Sequence, residues 1–180
     1  RECLTKTNQR WMLIAQDDPT TTMLLKRLDY FWTSMPEKTP EGFERPEKKD
    51  DSAYQKSFVG LNSSIRIQTA GATVPIHGET LSGVHLTEVS RWTAQAYANV
   101  MEGLEALPLG AYEFEESTPN EYGDHFHRLY ERVKRANQEG DFNHYALFAT
   151  FLEVDDYRIP RGQDFVVAKD RNTLELTEEE

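Results

Sequence analysis

The chain has a single cysteine, Cys3, in 180 residues. No disulfide can form within it, a usage that fits a reducing compartment. It has no apolar run near the ~20 residues that a helix needs to cross a bilayer, so no membrane partner is expected. Its start, Arg1-Glu2-Cys3-Leu4-Thr5-Lys6, lacks the apolar segment of a signal peptide. Internal repeats and low-complexity tracts are also missing. Basic charge is scarce: 20 Lys and Arg stand against 31 Asp and Glu, a net charge of −11. That balance argues against a general nucleic-acid clamp, which needs a basic stripe. Much of the acidic excess sits in Glu175, Glu178, Glu179 and Glu180. The first residue is Arg1 rather than Met, and we expect the chain to open inside a longer protein.

What is present is an ordinary globular composition, 38% hydrophobic, enough for one core and one domain. Trp11-Met12-Leu13-Ile14-Ala15 is a continuous apolar run of buried-strand type. Asp18 is the expected N-cap of the helix that follows, with Pro19 as its first residue. Leu24, Leu28, Phe31, Trp32 and Met35 share one face of that helix, and Pro36 ends it. Residues 37–51 mix charges, prolines and Gly42 and read as an exposed, mobile insertion. Phe58-Val59-Gly60-Leu61 and Ile65-Arg66-Ile67-Gln68-Thr69 flank the turn signal Asn62-Ser63-Ser64, a hairpin pattern. Further on, the spacing predicts a strand over residues 81–88, a helix over 92–107, a strand over 111–116 and a helix around Phe126, Leu129, Tyr130 and Val133 closed by Gly140. A third long apolar strand is expected over 144–151. The alternation predicts an α/β fold, a mostly parallel sheet with helices on both faces and right-handed crossovers.

The strand Leu81-Ser82-Gly83-Val84-His85-Leu86-Thr87-Glu88 ends in a lone carboxylate. Its neighbour, Ala111-Tyr112-Glu113-Phe114-Glu115-Glu116, runs into Ser117-Thr118-Pro119-Asn120. A glutamate at one strand tip beside a hydroxyl-rich loop at the next is how nucleotide-hydrolysing α/β domains hold and sense a γ-phosphate. The Gly-rich loop that would cradle the other phosphates does not occur in the 180 residues.

Three pieces together resemble the ATPase domain of phage and prophage large terminase subunits, the motors that package DNA into procapsids. They are Met12-Leu13-Ile14-Ala15-Gln16-Asp17 with its helix ending Ser34-Met35-Pro36; Ile65-Arg66-Ile67-Gln68-Thr69-Ala70-Gly71 through Gly78-Glu79-Thr80-Leu81 to Val84-His85-Leu86-Thr87-Glu88-Val89-Ser90-Arg91-Trp92; and Glu116-Ser117-Thr118-Pro119-Asn120-Glu121-Tyr122-Gly123-Asp124-His125-Phe126. Their order, continuing to Tyr157-Arg158-Ile159-Pro160, resembles that family over most of the chain.

The resemblance implies a P-loop fold of the ASCE type over residues 1–154 that lacks its N-terminal Walker A portion. Residues 155–180 would be a linker toward an absent nuclease domain. Residues 81–88 would be the Walker B strand, with Glu88 activating the water that attacks the γ-phosphate. Thr87 stands where an aspartate often faces Mg²⁺; its hydroxyl can reach the ion only through a bound water. Ser117, Thr118 and Asn120 would form the coupling motif over residues 117–120. His77-Gly78 takes the place of an Arg-Gly pair that supplies a candidate arginine finger in many relatives, so His77 joins the nucleotide-contacting set, with Arg66 and Arg91 as substitutes. The implied ligands are ATP and Mg²⁺. The implied partners are double-stranded DNA, the portal protein, the small terminase subunit and further copies in a ring, at the procapsid portal in the host cytoplasm. The chain alone is expected to hydrolyse little or no ATP.

Plainer readings stand beside these. A helicase-like translocase uses a similar hydroxyl motif, although it usually carries Asp at the Thr87 position, and a non-catalytic prophage remnant would keep the fold without the chemistry. His125 and His127, two apart on a helix, point to different sides and make a poor metal pair. Arg128, Arg132 and Arg135 recur at helical spacing, and beside Glu131 they read as a solvated face. Trp11, Trp32 and Trp92 read as core anchors.

Overall fold

The most apolar run of the chain becomes its central strand. The computed structural model describes residues 2–40, 42–52, 54–71 and 80–148. Within them β1 (Arg10–Ala15) pairs in parallel on one side with β4 (Ser63–Thr69) and on the other with β5 (Gly83–Thr87). The six strands run in the order β2-β3-β4-β1-β5-β6, where β2 is Lys48–Asp51, β3 Gln55–Phe58 and β6 Tyr112–Glu116. Strands β4, β1, β5 and β6 are parallel, and β2 and β3 extend the sheet antiparallel. The β3–β4 pair is a hairpin, as expected, but its first strand is Gln55–Phe58 rather than residues 58–61, and its turn falls over residues 59–62 rather than 62–64. Its turn needs two left-handed residues, Gly60 (φ +76°) and Asn62 (φ +50°), types that tolerate that conformation.

Alternation along the strands divides the sheet into two faces. Met12 and Ile14 of β1 and Val84 and Leu86 of β5, all fully buried, point to one face. There they meet Val89, Trp92, Val100 and Leu104, the last two on helix α3 (Ala94–Leu104). Phe126 of helix α4 (His125–Gln138) packs on the rim of this core. The other face carries Ile67 and Thr69 and is crossed by helix α2 (Asp18–Ser34), whose buried Thr21 hydroxyl meets that of Thr69 at 2.9 Å. Helices therefore cover both faces, as expected. On the α2 side, Tyr112 and Phe114 of the edge strand stay more than half exposed. Trp11 reaches across to stack on both, at 6.0 and 6.3 Å between centroids. It passes over Gly83, where a Cβ would lie 2.6 Å from its ring, so only glycine leaves room for the ladder. A short helix α1 (Glu2–Thr5) places the buried Cys3 thiol against the Ser64 carbonyl, and burial pushes that thiol up to about 12.

Four further expectations are corrected. Asp17, not Asp18, caps α2: its carboxylate accepts from the Thr20 amide at 2.8 Å, and Pro19 still falls in the first turn, where no N–H is needed. The helix expected from residue 92 starts at Ala94 because Thr93 caps it (Thr93 Oγ1 to Ala96 N, 3.1 Å), and it ends at Leu104 rather than 107. Residues 144–148 form no strand. The Asn137 side chain holds them instead, donating to the His144 carbonyl and accepting from the Ala146 amide; residues 149–151, and the expected linker over 155–180, lie outside the described residues.

The fourth correction concerns residues 37–51, which are tied down and include edge strand β2. The reason is the open end of α2, whose last carbonyls have no helical partners. Arg45 supplies them, donating from Nη1 to the carbonyls of Trp32, Thr33 and Met35 at 3.1, 3.3 and 2.8 Å. Its guanidinium also lies 4.3 Å from the Trp32 ring centre, and Lys48 lies 4.5 Å away. Lys48 and Lys56 converge on Asp29 and hold its carboxyl below the usual range.

Arg45→Leu should therefore lower unfolding free energy by about 1–3 kcal/mol, from carbonyls left without a charged donor and a lost cation–π contact. Lys38→Ala, which removes the exposed pair with Glu44, should leave the urea midpoint where it is. Equal midpoints for wild type and Arg45→Leu would refute the capping role.

Candidate functional site

In an open α/β sheet, ligands gather beyond the carboxyl ends of the parallel strands. Here those ends bring together Asp17 and Asp18 after β1, Glu88 after β5, and Ser117 and Thr118 after β6. The chain leaves β5 through Glu88, which adopts a left-handed backbone (φ +55°, ψ +41°), and enters a 3₁₀ turn, Val89–Arg91. A non-glycine residue in that region carries strain, and such residues concentrate at functional sites.

Several contacts fix this turn. The buried Ser90 hydroxyl lies 2.7 Å from that of Ser117, the Ser90 amide donates to Ser117 Oγ at 3.1 Å, and Ser90 Oγ donates to the Thr118 carbonyl at 2.8 Å. The Trp92 indole N–H donates to the Thr87 carbonyl at 3.1 Å. His125, the first residue of α4, places Nε2 2.6 Å from the Val89 carbonyl, and its ring packs 4.6 Å from that of Tyr97.

Against this frame the Glu88 carboxylate is held by one oxygen. Oε2 accepts from the Thr118 hydroxyl at 3.2 Å and from Arg91 Nε at 3.4 Å. Oε1 has no partner among the described residues. The Glu88 side chain is about one-third exposed, accessible to a water yet fixed in direction.

The expected site residues separate on inspection. Glu88 and Thr118 are brought into contact, and Ser117 serves as the link to Ser90. Thr87 points to the opposite sheet face, in register with Glu116. There its hydroxyl, together with His85 (Nε2 3.6 Å from Glu116 Oε1), holds the Glu116 carboxyl below its ordinary range, the imidazole being the larger influence. Asn120 is exposed and makes no hydrogen bond among the described residues. His77 lies outside the described residues. Arg66 is on β4, bonded to Gln55, while Arg91 does reach Glu88. Sequence reasoning missed Ser90 as the partner of Ser117 and His125 as the tie to Val89. The signal for the first was a serine two residues beyond the glutamate, facing a serine at the next strand tip. The residues present fit Mg²⁺ poorly: Thr87 is committed to Glu116, and among the described residues no three His, Cys, Asp or Glu side chains converge. For ATP they offer a carboxylate and hydroxyls suited to one end of the triphosphate.

A second carboxylate has an unusual setting. Glu115 of β6 faces α3, half-buried, with Oε2 shielded from solvent and unbonded. Burial first, then repulsion from Glu113, pushes it up to about 7, with the Tyr97 hydroxyl pulling the other way. The same burial, with Glu115 beside it, raises the Tyr97 phenol.

Solved structures similar to this fold include phage large terminases. The chain matches the HK97 bacteriophage large terminase at 12% identity with a TM-score of 0.53, over 78% of this chain and 29% of that one. It matches the large terminase of a thermophilic bacteriophage at 15% identity and 0.53, over 75% and 32%. The Thermus phage P74-26 large terminase ATPase domain matches at 14% and 0.50, over 73% and 55%. The chain thus spans about a third or less of the two whole subunits and about half of the isolated ATPase domain. No protein-family model matches it, and no curated protein does. The fold is that of the terminase ATPase domain.

Two outcomes follow from this geometry. Glu88→Gly should be more stable than Glu88→Ala by about 1 kcal/mol, the reverse of the usual order, because only glycine relieves the positive φ; an alanine variant that is equally stable would remove the strain. The folded state holds the Glu115 proton more tightly than the unfolded chain, so stability should fall as pH rises from the ordinary 4.5 to about 7. The drop should be on the order of 2–3 kcal/mol. Thermal melts across pH 4.5–7.5 should show this slope in wild type and its loss in Glu115→Gln.

Proposed function

We propose that this chain is the part of a phage large terminase ATPase that positions and senses the terminal phosphate of ATP. The observation that carries the reading is the Glu88 carboxylate, held at Oε2 by Thr118 and free at Oε1 on a strained turn at the carboxyl end of a central parallel strand. The shared fold supports it.

In this reading a water accepted by Glu88 Oε1 lies in line with the γ-phosphorus. The carboxylate orients it and takes its proton as the water oxygen bonds to phosphorus and the bond to the β-phosphate oxygen breaks, releasing ADP and phosphate. Thr118 donates to the same carboxylate and sits at the tip of the neighbouring strand. A change at the phosphate is thereby passed through Thr118 and Ser117 to the Ser90 turn and on to α4. Arg91, already on Glu88, is the nearest guanidinium to the developing charge. The 180 residues hold no Gly-rich loop to cradle the remaining phosphates; the outer edge of β6, unpaired among the described residues, offers a place for a further strand, since unpaired edges recruit strands. In the whole assembly the work done is translocation of double-stranded DNA by a ring of copies, with the portal protein and small terminase subunit as partners, at the procapsid portal in the host cytoplasm.

The test is ATP turnover in a protein extended upstream through a phosphate-binding loop. Glu88→Gln should abolish turnover by 10²-fold or more while nucleotide affinity is retained, as expected for a group that acts on the water. Thr118→Val should lower turnover without loss of folding. Turnover by Glu88→Gln equal to wild type would make Glu88 structural and end the reading.

A further inference from the structure

The basic face of α4 is solvated, as its composition implied, but its one acid does not neutralise it. In a chain of net charge −11, this helix sets Arg128, Arg132, Lys134 and Arg135 against one acid, Glu131. Glu131 turns to Lys134 at 3.4 Å rather than to the arginines. Arg132 and Arg135 are exposed and make no ion pair or hydrogen bond among the described residues, while Arg128 donates to the Gly123 carbonyl at 2.7 Å. The three guanidiniums line one concavity of about 660 Å³ together with Glu131, Tyr122 and His127; the last two rings lie 4.7 Å apart, and Glu131 is the one acid in the lining.

We propose that this groove is a contact surface for the phosphate backbone of duplex nucleic acid. Arginine presents a flat fork of donors that fits phosphate oxygens, and unpaired guanidiniums lose no existing partner on binding. The geometry suits a regular polyanion. Positions 128, 132 and 135 fall on one stripe of the helix and span roughly 10 Å at ~1.5 Å per residue. Measured along the duplex axis, that covers about three base-pair rises of ~3.4 Å each. The net charge of −11 disfavours diffuse attraction of a polyanion to the chain as a whole. The stripe is also wired to the candidate catalytic turn, because α4 begins at His125 on the Val89 carbonyl. The choice of duplex as partner rests on the packaging reading; the phosphate chemistry does not.

The experiment is fluorescence anisotropy of a labelled 30-base-pair duplex with the full-length protein, from 50 to 300 mM salt, without nucleotide. Arg132→Gln/Arg135→Gln spares Arg128, which has a structural bond. It should weaken binding at least tenfold and reduce the slope of log K against log salt by about 2, one unit per lost phosphate contact. Lys26→Gln/Arg27→Gln, removing two exposed charges from α2, is the control and should leave both quantities unchanged. Equal losses in the two variants would mean diffuse attraction and would overturn the proposal, as would wild type that does not bind at 50 mM salt. Unchanged DNA binding in Arg132→Gln/Arg135→Gln, with self-association lost in sedimentation, would assign the groove to contact between copies instead. Circular dichroism establishes that the variants fold. ATP turnover, read separately through Glu88, keeps the outcomes distinct: turnover with no stripe-dependent binding sinks only the groove, and stripe-dependent binding with Glu88→Gln fully active sinks only the catalytic assignment.

Discussion

The Ser90–Ser117 hydroxyl pair is the constraint on which the site depends. Ser90 is 4% exposed, so its hydroxyl has little water to bond and must be satisfied by protein. It meets Ser117 Oγ and the Thr118 carbonyl, and Ser117 in turn accepts the Ser90 amide. The net closes only if the turn after β5 and the loop after β6 hold one relative position. That position delivers the Thr118 hydroxyl to Glu88. The next residue along the turn anchors it from the other side: the Val89 carbonyl receives His125, and with it the start of α4. A carboxylate, a neighbouring hydroxyl and a basic helix thus share one small turn, which the half-buried bonds of Ser90 and the Val89 carbonyl hold in place.

The two sheet faces are built for different tasks. One is an apolar core in which Met12 and Ile14 of β1 and Val84 and Leu86 of β5 are buried against α3 and the turn before it. The other is closed over β4 and β1 by α2 but leaves the aromatic ladder of Trp11, Tyr112 and Phe114 half open along the β6 edge. Glu115 lies at this same edge on the core side, with a carboxyl oxygen shielded from solvent and unbonded among the described residues. An edge strand with exposed aromatics and a sealed carboxyl is a poor terminus for a sheet and a good seat for further structure.

Much of this was legible in the chain. The continuous apolar run at Trp11–Ala15 could only be a buried strand, and the alternating hydrophobic spacing of the later elements gave helices and parallel strands in the right order. The meeting of Glu88 and Thr118 was legible because each stands at the tip of one of two neighbouring parallel strands. What was not legible depended on contacts remote in sequence. Arg45 caps a helix ending eleven residues earlier, so the charged 37–51 segment resembled a loose insertion when read locally. The apolar letters after His144 resembled a strand, but Asn137 bonds that backbone before it can join the sheet. Asp17 took the cap from Asp18 by one residue, a choice set by which backbone becomes extended. Thr87 looked like a metal-side group until the pleat placed it with Glu116 on the far face.

The conformation of Glu88 links stability to use. The chain must turn sharply after β5 to bring Ser90 beneath Ser117, and the first residue of that turn has φ +55°. Glycine would adopt it with no Cβ penalty, whereas an L side chain costs on the order of 1–2 kcal/mol there. Neither of the two bonds to its carboxylate is buried, so neither offsets that cost in full. A glutamate at this position is therefore not explained by folding. It is explained if the carboxylate is needed where it stands, with one oxygen secured by its neighbours and the other turned to a reacting water. The inference runs from the strained backbone to the chemistry, which is the direction in which such outliers carry weight.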